Sequence, residues 1–107
     1  MAVARIRRGW TTPENADADQ RLVSQEVLPG IAASDLEGYH GAYLLRRDLG
    51  GEVEFVTIKL FDSLEQLHAF AAEDDQAAYV PPRAWAVLAR FDERSAHYDT
   101  LLRPPTA

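Results

Sequence analysis

The chain has 107 residues, 47% apolar and 26% charged, and a formal net charge of −6. This is the size and balance of one globular domain, and the acidic excess argues against nucleic acid as partner, because phosphate binding calls for clustered basic charge. With no cysteine, disulfides and thiolate chemistry are excluded.

The opening "MAVARIRRGW" lacks an apolar signal-peptide core, and no segment approaches the roughly 18 apolar residues of a membrane span. A cytoplasmic protein without a membrane partner is expected. Residues 1–11 read as a strand, with Val3, Ile6 and Trp10 supplying its apolar character. Arg5, Arg7 and Arg8 read as a solvated strand edge or a small basic patch. "TTPEN" carries helix-start chemistry: Thr12 as the cap and Pro13 at the first helical position, followed by acidic Glu14, Asp17 and Asp19 on the favourable end of the helix dipole.

Residues 17–33 follow a helical pattern through Leu22, Val23, Val27 and Ile31, with a kink or stop expected at Pro29 and Gly30. Two strand-like runs, 39–47 and 52–61, flank "DLGG" and predict a hairpin. "DSLEQL" opens a second helix through a capping box, Asp62 with Glu65 or Ser63 with Gln66. Leu64, Leu67, His68 and Ala71 share one stripe of it. "YVPP" reads as an extended link, "RAWAVLARF" as a short third helix and "ERSAHYDTLL" as the last strand. Residues 1–103 form a single domain, and 104–107 a frayed tail.

This order, βαββα–short α–β, predicts an α+β fold: a ferredoxin-like antiparallel sheet with its helices on one face. In the strand 52–61, Val53, Phe55 and Phe61 share one side while Val56, Ile58 and Leu60 share the other. Each buried apolar side chain is worth roughly 1.5–3 kcal/mol, so a second apolar face calls for a second cover. A homodimer, pairing sheet face to sheet face, supplies it.

The segments "ARIRRGWTTPENAD", "VLPGI", "GYHGAYLLRRDLGGEVEFVTIKLFDSLEQLHAFA" and "VPPRAWAVLARFDERSAHYD" resemble members of the antibiotic biosynthesis monooxygenase family, of the dimeric α/β-barrel superfamily. The resemblance spans residues 4–101 and implies a dimeric α/β barrel. It also implies oxidation of a small or polycyclic phenol- or quinol-type aromatic by O2, with no metal or other cofactor. Such chemistry needs a flat apolar site, a proton acceptor and a stabilised anion.

Candidates for the aromatic wall are Trp10, Tyr43, Phe70, Tyr79 and Trp85. His68, His97 and Tyr98 are candidate proton-transfer groups, and Arg7 or Arg8 a candidate oxyanion holder. Each has a plainer role: Trp10 and Trp85 as core or interface anchors, Tyr43 as a half-buried sheet residue, His68 as a hydrogen-bonded histidine at the core edge. His97 and Tyr98 are strand neighbours and point to opposite faces. The three histidines lack metal-motif spacing. Haem-degrading relatives use an asparagine in the first strand; here the only asparagine is Asn15, which speaks against that activity. A ligand-binding or stress-related dimer, and a non-oxidative isomerase or cyclase of the same superfamily, are the competing readings.

Overall fold

A computed structural model describes residues 2–33, 37–71, 90–91 and 94–102, with the backbone alone at 69–71 and 91. Among these residues the chain folds into one antiparallel sheet. The strands are β1 (Val3–Thr11), β2 (Tyr39–Asp48), β3 (Val53–Phe61), β4 (Arg90–Phe91) and β5 (Ala96–Asp99), and the spatial order is β2–β3–β1. Both β4 and β5 lie along the free side of β1. The former pairs with Gly9 and Trp10 and the latter with Val3 to Ile6, so together they make the fourth column. The third helix expected from "RAWAVLARF" falls mostly outside the described residues, but Arg90 and Phe91 are strand and not helix. Sheet pairing with β1 satisfies backbone groups that the local apolar spacing had suggested were helical.

After β1 a turn, closed by the Asn15 N–H donating to the Thr12 carbonyl at 3.1 Å, leads into helix α1 (Ala16–Leu22). Thus Asn15, and not Thr12, precedes the helix, and Pro13 sits in the turn before it. Nor does the helix stop at Pro29. It passes through a π-helical turn (Val23–Val27) and continues as α2 (Leu28–Ala33). The Leu28 N–H reaches back five residues to the Val23 carbonyl. This wider ladder stands just ahead of a residue that has no N–H to give and whose ring would crowd the preceding turn. Arg46 ties α1 to the sheet, its Nη1 donating to Asp17 Oδ1 at 2.9 Å and Gln20 Oε1 at 2.8 Å.

The hairpin is as the sequence indicated. Gly50 takes a φ of +91° in the turn, and the Leu49 N–H donates to the Glu52 carbonyl at 2.8 Å. A bulge between Tyr39 and Ala42 brings Tyr39 opposite Phe61. Ser63 caps helix α3 (Leu64–Ala71): its hydroxyl donates to Gln66 Oε1 and accepts the Gln66 N–H. Asp62 pairs with His40 instead of taking part in the box. Of the α3 stripe, Leu67 is fully buried, whereas Leu64 and His68 are exposed.

The helices cover the side of the sheet that carries Val3, Val53, Phe55 and Phe61. Leu67 joins Val3, Phe61 and Tyr39 at one end of that side, and Ala16 joins Val53, Phe55 and Leu44 at the other. The opposite side carries Val56, Ile58 and Leu60, all partly exposed, with Tyr43 52% and Tyr98 56% exposed.

Candidate active site

Strand register places a polar belt between the two apolar clusters. Across the helix-covered side, Phe61 lies beside Val3; one step along come Ala42, Lys59, Arg5 and His97 in successive strands; next come Leu44, Thr57 and Arg7; then Arg46, Phe55 and Gly9. Arg5, Arg7 and Lys59 are only 2%, 9% and 4% exposed. Directly opposed residues of an antiparallel pair stand roughly 5 Å apart at Cβ, and diagonal ones about 7–8 Å. Three cationic side chains therefore share the centre of the covered face. The expectation that Arg5 and Arg7 lie at a solvated edge or in a basic patch is corrected, since β1 is an interior strand and they alternate in phase with Val3. Arg8 alone of the three points to the other side and is exposed.

Burial of cations is costly unless the groups are held by partners or put to use. Arg5 Nη1 donates to His97 Nε2 at 2.7 Å. Because Nε2 accepts, that imidazole is neutral with its proton on Nδ1. Asp19 of α1 is buried over Arg7; burial pushes its carboxyl up, and the guanidinium partly opposes the rise. No hydrogen-bond partner among the described residues reaches its Oδ1.

Burial, followed by Arg7 and Arg5, pulls the Lys59 amine down to about 7. Near neutral pH this amine can thus take up or release a proton, while the arginines beside it keep theirs. The arrangement offers a proton acceptor next to two fixed positive charges, which is what formation of an organic anion requires.

Sequence reasoning passed over Lys59 and named Arg5 only within the run Arg5, Arg7 and Arg8. The signal for Lys59 was available: it is the only lysine in the chain, in phase with Val53, Phe55 and Phe61. Of the candidates named from sequence, Arg7 and His97 join the belt. Trp10 lies on the other side of the sheet, buried beneath the Arg90 guanidinium at 3.8 Å from the ring centre, with Arg8 at 5.5 Å. Arg90 is itself held by Glu52 through bonds of 3.1 and 3.2 Å. Tyr43 and Tyr98 are exposed on that same side, as the alternation of His97 and Tyr98 requires. His68 is exposed on α3. The Phe70 side chain, Tyr79 and Trp85 lie outside the described residues. Among the described residues no group of three His, Cys, Asp or Glu stands together as a metal site.

Compared with solved structures, the chain superposes along its whole length on a Bacillus cereus protein provisionally named an antibiotic biosynthesis monooxygenase. The TM-score is 0.66 at 14% identity, covering 98% of both chains. The chain shares the α+β fold of that protein. A similarly named protein from Chloroflexus aurantiacus matches with a TM-score of 0.59 at 16% identity, covering 100% of this chain and 98% of that one. A NIPSNAP family protein from Agrobacterium tumefaciens shares the same fold, with a TM-score of 0.56 at 19% identity over 97% and 98% of the two chains. No family model and no curated protein matches the sequence. This fold thus serves differently named families, and function must be argued from the belt.

Proposed function

We propose that the protein is a cofactor-independent monooxygenase acting on a small or polycyclic phenol- or quinol-type aromatic. The observation that carries this reading is the buried Lys59 beside Arg5 and Arg7. The Lys59 amine takes the phenolic proton, and the two guanidiniums hold the oxyanion in a site shielded from water. The electron-rich anion then passes one electron to O2, and the radical pair recombines at carbon. The peroxide takes the proton back from Lys59 and loses water, leaving one oxygen on the ring as a carbonyl. His97, held in one tautomer by Arg5, keeps that guanidinium in place. The fold shared with proteins of this name supports the reading as analogy.

Oxygen uptake with a panel of anthrones, hydroquinones and quinols tests it. Uptake is expected to rise through about pH 7, as Lys59 loses its proton, and to fall at least about a hundredfold in K59M, the usual worth of a general base. Absence of uptake above the protein-free rate across the panel, between about pH 6 and 9, removes the reading.

The working form in this proposal is a homodimer joined through the sheet side that carries Tyr43, Leu45, Val56, Ile58 and Tyr98. The described helices pack on the opposite side, and covering this one removes apolar surface from water.

A further inference from the structure

Of eleven basic residues ten are arginines, and the one lysine is buried at the centre of the covered face. An arginine in a protein never gives up its proton, whereas a lysine amine can, and its lone pair is then a nucleophile. Lys59 sits directly opposite Arg5 in the strand register, with Arg7 one diagonal step away. Beyond Arg5 on the next strand comes the half-buried His97, so among the described residues the row runs from a partly exposed histidine inward to the amine. Neighbouring positive charge is a known means of keeping a lysine amine unprotonated and reactive. The same charges provide the fork that grips a carboxylate.

We propose that Lys59 is a Schiff-base lysine for a small 2-oxo acid, with the ligand's carboxylate held by Arg5 and Arg7. This goes beyond the oxygenase reading, because the amine acts as a nucleophile on carbon and not as a base toward a phenol. The Nζ lone pair forms the new C–N bond at the carbonyl carbon, and the carbonyl π pair moves to oxygen. Proton transfer from nitrogen to that oxygen gives the carbinolamine. The hydroxyl takes up a proton from solvent and departs as water, the nitrogen lone pair forming the C=N bond of a protonated imine. Water then takes a proton from the adjacent carbon; the C–H pair becomes a C=C bond and the C=N π pair moves to nitrogen, giving a neutral enamine. Reprotonation at carbon followed by hydrolysis returns the oxo acid and the free amine. No oxidant or reductant is consumed, and the visible outcome is exchange of the hydrogens next to the carbonyl.

The test uses pyruvate as the probe, without oxygen, at about pH 7.5. Borohydride reduction and peptide mapping should find an adduct on Lys59. NMR in deuterium oxide should show enzyme-dependent exchange of the pyruvate methyl hydrogens. Acetone, which offers the carbonyl without the carboxylate, should label Lys59 at least about tenfold less, given the strength of charge-assisted pairing with guanidinium. K59M, checked for folding by circular dichroism, should lose both adduct and exchange while its amino terminus still labels. R7M should retain the adduct at a lower yield. Labelling of the amino terminus alone in the folded wild-type chain overturns the proposal, as does equal labelling by acetone. Because these readouts need no oxygen, they stand or fall apart from the oxygen-uptake result.

Discussion

Replacement of Lys59 by methionine is the most informative single perturbation for the physical argument. In the unfolded chain the amine keeps its proton up to its ordinary 10.5; in the folded chain it does so only up to about 7. Between those values the unfolded state binds the extra proton, so stability must rise with pH. Below about 7 both states are charged and the full burial penalty applies; above 10.5 both are neutral and the penalty is gone. Each pKa unit corresponds to about 1.4 kcal/mol, so the whole penalty is roughly 5 kcal/mol. From about pH 7.5 to 9.5, short of tyrosine titration, the gain is about 2–3 kcal/mol. With urea m-values of about 1–3 kcal/mol/M, this moves the unfolding midpoint upward by about 1–2 M. Urea is preferred to guanidinium because it does not screen the charges. K59M retains the buried stem and carries no titrating group. Its midpoint should be at least that of wild type at pH 7.5 and nearly flat with pH, all at one fixed protein concentration. Parallel pH profiles for the two proteins would refute the claim that Lys59 is buried among like charges.

Three further outcomes follow from particular contacts. L67A empties a fully buried position against Val3 and Phe61 and should cost about 2–5 kcal/mol in urea unfolding, whereas L64A, at an exposed position of the same helix, should cost far less. Gly38 has a φ of +79°, and a Cβ there would lie 2.7 Å from the Gln66 side chain that Ser63 holds. G38A should therefore lose more than about 1 kcal/mol, and a stabilised variant would show this backbone to be misassigned. A charge placed on the open side of the sheet, as in I58D, should leave a folded chain that sediments at 11.9 kDa, while wild type sediments at twice that mass. A monomeric wild type would remove the pairing.

The local elements were readable where local chemistry decides them. Ser63 and Gln66 close the box that starts α3. The glycines after Asp48 permit a tight turn, and the alternation of Val53, Phe55 and Phe61 marks the covered face of β3. Reading failed where a distant partner decides. Arg90 and Phe91 have the spacing of a helix, but β1 offers them an edge to pair with. At Pro29 a kink or a stop was expected; the helix does not stop there, and a π-helical turn stands just ahead of the proline. The functional belt was missed for a related reason. Arginine and lysine in a strand are placed outward by default, and only their phase with Val3 and Phe61 indicated otherwise.

By itself, then, the order of residues determined β1, the β2–β3 hairpin, the capped start of α3 and which side of β3 would be covered. Those follow from backbone sterics and from neighbours within a few positions. Tertiary structure alone decided that Lys59, Arg5 and His97 stand in one row, with Asp19 over Arg7. Residues 5, 59 and 97 meet only when β1 is inserted between β3 and β5 with a fixed register, and Asp19 meets Arg7 only when α1 packs on that face. A slip of one residue in β1 would turn Arg5 and Arg7 to the opposite face.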